Sequence, residues 1–278
     1  GFFKGVSPDE NGYLTPAMAA RLFINVLETD AAVPVTAGSK NEYSIQKDVT
    51  VLQKNLKIYK GYGLVEADRY TSIYGGNIAG EDKVEIDGEI YREGTSEAES
   101  YLGYDTEFYY SSGDENGLGQ NEIIYIMPRE GKNTVITVDA DNIDSVDNYK
   151  FNYYVDDQEK MRTENFSKST VCIYNKRQSV LSDELLMPAI GEVTLIDNDN
   201  DTEIDVIRVT EYELIIAGAV SQGEDPILTD RNTGLNVLED AEGVIVFKNG
   251  SSAALSDIKE KDIVLVMEVS ESGRLDKY

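Results

Sequence analysis

Four aspartates in one acidic run have the residue type and spacing of a calcium-binding loop: Asp197, Asp199, Asp201 and Asp205. Carboxylate oxygens are ligands that Ca²⁺ prefers, and these residues match positions 1, 3, 5 and 9 of such a loop. Without a cation, carboxylates that meet at one point repel one another by roughly 1–4 kcal/mol per close pair. We therefore predict a Ca²⁺ site at these four aspartates. The alternative is a solvated acidic turn.

The run departs from an EF-hand at two positions. Thr202 stands where an EF-hand has its glycine, and Arg208 stands where it has a bidentate glutamate. The flanking segments 193–196 and 206–209 are rich in β-branched residues, which favours strands on both sides. We therefore predict a β-hairpin loop with a partial oxygen cage, completed by a backbone carbonyl, water or Glu203.

Composition limits the other partners and cofactors. The chain has 278 residues, with 25 Lys and Arg against 52 Asp and Glu, and a formal net charge of −27. This field repels nucleic-acid phosphate and anionic lipid, so we expect no nucleic-acid partner and no membrane insertion. The absence of His and the single Cys172 exclude imidazole triads and cysteine metal clusters, and argue against most zinc sites. Cys172 lies in a predicted strand, where a buried thiol is expected.

No catalytic motif stands out. The sequence contains no nucleophile elbow and no phosphate-binding glycine loop. Two acids at glycosidase spacing would arise by chance among 52, and no Trp is present to form a sugar platform. We predict that the protein is not an enzyme.

The elements that must position the acidic run are mainly strands. Tyrosine and β-branched residues alternate in segments such as 106–110 and 150–155. One helix is expected near the start, with Thr15 as its N-cap, Pro16 at its first position and an apolar stripe through Leu22 and Val26. A shorter helix is expected over 49–56.

A weak internal repeat organises the rest. Asp87-Gly88 and Asn249-Gly250 are matching hairpin signals in two stretches with the same order of elements, in which Gly63-Leu64-Val65 matches Gly218-Ala219-Val220. In the second stretch, Ser272-Gly273 is a predicted turn and Leu275 lies in the strand that returns from it. Two unrelated β meanders would share such turns. The predicted fold is mainly β, with two similar small β-barrel-like or sandwich-like modules, a hairpin-rich middle segment and one N-terminal helix. The predicted divisions are 1–48 (helix and linker), 49–130 (first module), 131–210 (middle segment with the acidic loop) and 211–278 (second module).

Short motifs give the chain a family resemblance. They are Tyr101-Leu102-Gly103-Tyr104, Gly131-Lys132-Asn133-Thr134-Val135, the stretch 193–199, Asp205-Val206 and Val209-Thr210-Glu211-Tyr212. Together they resemble the β-rich region that follows the S-layer homology (SLH) domains in cell-surface proteins of Clostridia and related Firmicutes. The resemblance implies an extracellular location in the cell wall or surface layer and a non-catalytic structural role. The expected partners are copies of itself or other surface-layer subunits.

The segment 12–22 looks like the second half of an SLH repeat, a module that binds cell-wall polysaccharide. Pro16 and Met18 stand where that motif has Arg and Glu. We therefore expect polysaccharide binding only through regions outside this chain, and a helix that docks by its Ala/Leu/Phe face here.

Two other functions remain open from the sequence. An extracellular glycan- or protein-binding module would present exposed tyrosines, with Tyr104, Tyr109, Tyr153 and Tyr154 as candidates. A structural protein of a phage or another particle is the third possibility.

Overall fold

A computed structural model describes residues 2–8, 12–37, 40–113, 119–155, 160–222, 226–238 and 244–269. The predicted fold class is confirmed, because the chain is mainly β, with one long helix and several sheets. The chain divides into two compact units, Gly1–Lys132 and Asn133–Tyr278. The finer four-part division remains a prediction.

The described residues of the first unit form one α-helix and seven strands. They are α1 (Pro16–Leu27), β1 (Asp30–Ala37), β2 (Lys40–Thr50), β3 (Ile58–Ala67), β4 (Lys83–Ile86), β5 (Glu89–Arg92), β6 (Asp105–Ser111) and β7 (Glu122–Pro128). A π-helix at Leu52–Leu56 and a 3-10 helix at Ala98–Tyr101 complete it. The predicted second helix over 49–56 is therefore only five residues long.

Helix α1 begins as the sequence predicts. Thr15 Oγ1 accepts a hydrogen bond from the Met18 backbone N–H at 3.2 Å, and Pro16 occupies the first helical position. The predicted docking of its apolar face is not seen, since α1 has no buried residue and Phe23 is 71% exposed.

The segment 31–48, predicted as a linker, forms most of a β-hairpin instead. Strands β1 and β2 pair antiparallel from Ala31↔Gln46 to Ala37↔Lys40. The polar Gly38-Ser39-Lys40 stretch is typical of a linker, but the linker prediction was wrong because strands pair on both sides of it. The β-branched and aromatic residues on both sides of it, Val33, Val35, Tyr43 and Ile45, favour strands.

Strands β3 to β7 close into a five-stranded barrel in the order β3-β4-β5-β7-β6. Its closing seam is short, because β5 and β7 share one parallel pair, Arg92↔Glu122. Gly61 lies opposite Phe108 on β6, and a Cβ at Gly61 would be 2.4 Å from that ring. The glycine therefore makes room for an aromatic core residue. The barrel core is formed by Val65, Val84, Ile86, Phe108, Ile123 and Ile126.

The second unit contains twelve strands among its described residues. They are β8 (Thr134–Asp139), β9 (Ile143–Asp147), β10 (Lys150–Tyr154), β11 (Met161–Tyr174), β12 (Arg177–Ser179), β13 (Gly191–Asp197), β14 (Ile204–Glu211), β15 (Glu213–Ser221), β16 (Ile227–Asp230), β17 (Val246–Lys248), β18 (Ser251–Ala253) and β19 (Ile263–Val266). Two 3-10 turns lie at Ala140–Asn142 and Leu255–Asp257.

One large sheet carries the acidic run, in the order β8-β13-β14-β11-β10-β9, with β12 paired to β11. Long strand β11 joins its two halves, pairing antiparallel with β10 and parallel with β14. Leu195 and Ile196 are neighbours in β13, and both are fully buried. Side chains alternate between the faces of a strand, so both faces of β13 are covered.

The second module (211–278) resembles the barrel in its hairpin turns. Asp87 and Gly88 have φ of 48° and 78°, and Asn249 and Gly250 have φ of 53° and 76°. Both hairpins therefore use left-handed turn residues.

One backbone hydrogen bond also occurs at a corresponding place in the barrel and in the second module. The Val65 N–H donates to Tyr104 O at 3.0 Å, and the Ala217 N–H donates to Asp262 O at 2.8 Å. Val65 therefore corresponds to Ala217, three residues from the predicted match at Val220. Strands β16, β15 and β19 form a three-stranded sheet and β17-β18 a hairpin. The predicted final turn and strand at 272–275 lie outside the described residues.

Candidate metal site

The acidic run is the loop of the predicted β-hairpin. Strands β13 and β14 pair antiparallel from Gly191↔Glu211 to Ile196↔Val206, and residues 198–203 connect them. Val206 and Ile207 are buried at the start of β14. The core thus fixes the base of the loop and leaves its tip to local interactions.

Three of the four predicted ligands come together. Asp197, Asp199 and Asp205 each offer one carboxylate oxygen, and these atoms lie within 4.8 Å of one another. Asp201 is not in the group. Its neighbours Asn200 and Thr202 have φ of 66° and 79°, so the backbone does not alternate regularly through Asp201. Within the described ranges, no other cluster of three such residues occurs.

Asp197 organises the loop from inside. It is 3% exposed and accepts three backbone hydrogen bonds, from Asp199 N at 3.3 Å, Asn200 N at 2.6 Å and Thr202 N at 2.9 Å. Two reach Oδ1 and one reaches Oδ2. Each carboxylate oxygen has two lone pairs, so Oδ2 retains one acceptor site. The same side chain can shape the loop and contribute a ligand.

Asp205 lies partly buried among the other carboxylates of the loop. Burial raises the pKa of its carboxyl above the ordinary value, and the nearby charges of Asp199, Asp197 and Asp201 raise it further. The Asn198 N–H, which donates to Asp205 Oδ2 at 2.9 Å, acts in the opposite direction. The loop therefore disfavours a further negative charge at Asp205 unless a cation offsets it.

The donor set fits a hard divalent cation. Ca²⁺ takes six to eight oxygens at about 2.3–2.6 Å, so ligands on opposite sides of the ion are about 5 Å apart. The 4.8 Å limit on the three oxygens is compatible with that shell. Glu203, predicted as a possible completing ligand, is exposed and outside the group. Its N–H donates to Asp201 Oδ1 at 2.8 Å.

The first unit contains a second cluster of carboxylates, which was not predicted from the sequence. Lys60 Nζ lies 2.8 Å from Glu28 Oε1 and 2.6 Å from Glu107 Oε1. The Tyr109 hydroxyl donates to Glu28 Oε1 at 2.7 Å. Glu28 is 32 residues from Lys60 along the chain, and no motif in the sequence links them.

In this Lys60 cluster (Glu28, Lys60, Glu107 and Tyr109), the contacts fix the protonation states of Lys60 and Glu28. Burial opposes ionisation of Glu28, but hydrogen bonds from Lys60 and Tyr109 outweigh it and hold the carboxyl pKa below its ordinary value. Burial also disfavours the charged Lys60, yet its bonds to Glu107 and Glu28 raise its pKa well above the usual range. The lysine therefore stays protonated between the two carboxylates.

The tyrosines expected to form a binding face are mostly engaged elsewhere. Tyr153 is 3% exposed, so it drops out of the candidates for an exposed binding face. Tyr109 bonds to Glu28, and the Tyr154 hydroxyl donates to Asp144 Oδ1 at 3.2 Å. Tyr104 packs edge-on against Tyr101. Tyr104 and Tyr109 belong to the first unit, and Tyr153 and Tyr154 belong to the second.

Cys172 is buried as predicted, and burial raises the pKa of its thiol to about 11. No helix in the described part of the chain is both long and apolar enough to cross a membrane.

Comparisons with protein-family models, characterised proteins and solved structures give no match. The resemblance to SLH-associated regions therefore stays a prediction.

Proposed function

We propose that this chain is a non-catalytic structural module of a bacterial surface layer or another extracellular assembly, with Ca²⁺ bound at the acidic loop. Its partners are copies of itself or other surface-layer subunits. The β modules act as spacers and subunit contacts, while the cation fixes the β13–β14 loop.

The convergence of Asp197, Asp199 and Asp205 carries this proposal. Two of these side chains are at least partly buried, and the loop amides already hold Asp197 in place. The net charge of −27 also supports it, because an acidic surface gathers divalent cations and loses self-repulsion when they bind. The sequence motifs supply the surface-layer context.

Calcium binding is tested with two variants in the same loop. Asp199→Asn removes a charge from the group, whereas Asp201→Asn removes the same charge outside it. Both aspartates are exposed, and each accepts the N–H of the residue two positions ahead. At a Ca²⁺ concentration about 100 times Kd, we expect the wild type to gain about 2–3 kcal/mol in free energy of unfolding.

The measurement is urea denaturation with and without Ca²⁺, combined with calorimetric titration. Asp201→Asn should keep most of the gain, and Asp199→Asn should lose most of it. Equal losses in both variants would indicate diffuse screening, and no gain in the wild type would remove the metal site from the proposal.

The assembly part is tested separately by light scattering with and without a chelator. We expect larger particles in Ca²⁺ and smaller ones after chelation. A single monomeric species in both conditions at high protein concentration would contradict the structural role.

A further inference from the structure

The β1-β2 hairpin is a long ribbon with no other strand beside it. It forms a two-stranded sheet, and no third strand among the described residues pairs with either edge. An isolated two-stranded hairpin is marginally stable in water, and its outer edges present unpaired N–H and C=O groups. The ribbon therefore has the backbone chemistry needed to accept another strand.

One face of the ribbon is apolar and faces solvent. Cross-strand partners share a face, so Ile45 lies beside Ala32 and Tyr43 lies beside Pro34. Tyr43 is 67% exposed and Ile45 is 66% exposed. An added strand would pair with the free backbone N–H and C=O groups of the edge, and its side chains would cover Tyr43 and Ile45.

Pro34 makes the two edges unequal. Proline has no N–H, and within a sheet its nitrogen faces away from the neighbouring strand. This position blunts the outer edge of β1. It also makes Pro34↔Tyr43 a non-hydrogen-bonded pair, so the backbone groups of Tyr43 and Ile45 face outward from β2. The outer edge of β2 is the one available for pairing.

We propose that β2 pairs antiparallel with β2 of a second copy of this chain, around a two-fold axis at Ser44. This inference rests on the proposed assembly function and names one of its contacts. Because each copy offers a single open edge, the contact closes on itself as a dimer and does not propagate as a filament.

The residues of β2 favour this register. Centring the pair on Ser44 places Tyr43 opposite Ile45 of the second copy, and the symmetry repeats this contact. Aromatic and β-branched residues are a favourable cross-strand pair. Centring on Ile45 would instead set Glu42 and Tyr43 against residues 47–49, where the pairing of β2 with β1 is irregular and Asp48 has φ of 63°.

Charge makes the ribbon a suitable meeting point for two copies. Residues 30–50 contain two lysines and three acidic residues, a net charge of −1, whereas the whole chain carries −27. Two copies that meet here bring together one of the least charged parts of an acidic molecule. An unrelated acidic or basic partner has no comparable complement on this ribbon.

Cysteine cross-linking tests the register. Ser44→Cys should form a covalent dimer under mild oxidation, because the residue faces its own copy across the axis. Gln46→Cys is the matched control, since it is also exposed and on the same face. Its copy would be four residues away, about 13 Å, which is too far for a disulfide. Buried Cys172 should stay silent in both.

Sedimentation velocity tests the interface without a cross-link, up to about 1 mM protein because the contact is small and weak. We expect the wild type to dimerise reversibly, and Ile45→Lys to weaken the dimer at least tenfold. Ile245→Lys is the control, since Ile245 is 63% exposed and the change in charge is the same. Circular dichroism of each variant checks that it is folded.

A wild type that stays monomeric overturns the dimer. Equal cross-linking of the two cysteine variants, or equal effects of the two lysine substitutions, overturns the β2 contact. If the wild type still assembles while the paired variants behave equally, the proposed structural function survives and its contacts lie elsewhere. Filaments in place of dimers would show that the Pro34 edge also pairs.

Discussion

The acidic loop in the second unit and the Lys60 cluster in the first both gather carboxylates, but they neutralise them differently. The Lys60 cluster contains its own cation, 2.8 Å and 2.6 Å from two glutamates. In the acidic loop, Asp197 and Asp205 accept hydrogen bonds from backbone N–H groups, such as those of Asn200 and Asn198. The Lys60 cluster therefore contains its own cation, whereas the cation that we propose for Asp197, Asp199 and Asp205 comes from solution.

The largest effect is expected from Asp197→Ala, which leaves three loop N–H groups without their acceptor. Each unsatisfied group costs on the order of 1–3 kcal/mol when buried, and water will compensate part of this loss. We expect about 2–3 kcal/mol less free energy of unfolding in a chelator. Asp201→Ala, the control, should cost about 0.5 kcal/mol. Urea denaturation measures both, and similar losses would mean that Asp197 does not organise the loop.

A smaller loss is expected from Lys60→Met, which keeps most of the side-chain length and removes the charge. Glu28 and Glu107 would then face each other without a cation. Because the three side chains are 18–33% exposed, solvent limits the loss to about 1–2 kcal/mol. This loss should be the same with and without Ca²⁺, in contrast to the acidic loop.

Lys60→Met should also change how the free energy of unfolding falls at acidic pH, here called the acid limb. The lowered pKa of Glu28 contributes stability above its ordinary value of 4.5, and that stability is lost as the pH falls through the folded-state pKa. Lys60→Met should flatten this limb, whereas Lys150→Met, at an exposed lysine in the other unit, should not. An unchanged limb would mean that Lys60 does not set the ionisation of Glu28.

The smallest effect concerns Asp205, whose pKa is raised and not lowered. A raised carboxyl pKa means that the folded state holds its proton more tightly, so stability falls as the pH rises from the ordinary value of 3.8 through the folded-state pKa. In a chelator, the free energy of unfolding of the wild type minus that of Asp205→Asn should therefore decrease over that pH window, by less than about 1 kcal/mol. Added Ca²⁺ should reverse the sign near neutral pH. The same difference at every pH would contradict the raised pKa.

Local signals in the sequence account for much of the fold. Thr15 and Pro16 place the start of α1, and the Asp87-Gly88 and Asn249-Gly250 pairs place two hairpin turns, because these residues have strong conformational preferences. The acidic loop was also correctly placed between two strands. These features depend on residues close together in the chain.

Other features could not be predicted from local sequence patterns. The parallel pairing of β11 with β14 joins segments more than 30 residues apart, and no local pattern selects it. Asp201 was expected to join the cluster by simple alternation, but the positive φ of Asn200 and Thr202 breaks that alternation. The Lys60 cluster depends on where Glu28 lies relative to the barrel, which no motif encodes.

The single-pair seam of the barrel has a mechanical consequence. Around most of the barrel, adjacent strands share several consecutive residue pairs, but β5 and β7 meet at Arg92↔Glu122 alone. The Arg92 N–H donates to Asn121 O at 2.8 Å, and Arg92 Nη1 lies 3.1 Å from Glu122 Oε2. A tensile load on this unit would therefore part the wall at β5 and β7 first. The β4-β5 hairpin would swing out as a flap while the β3-β6-β7 sheet stays intact.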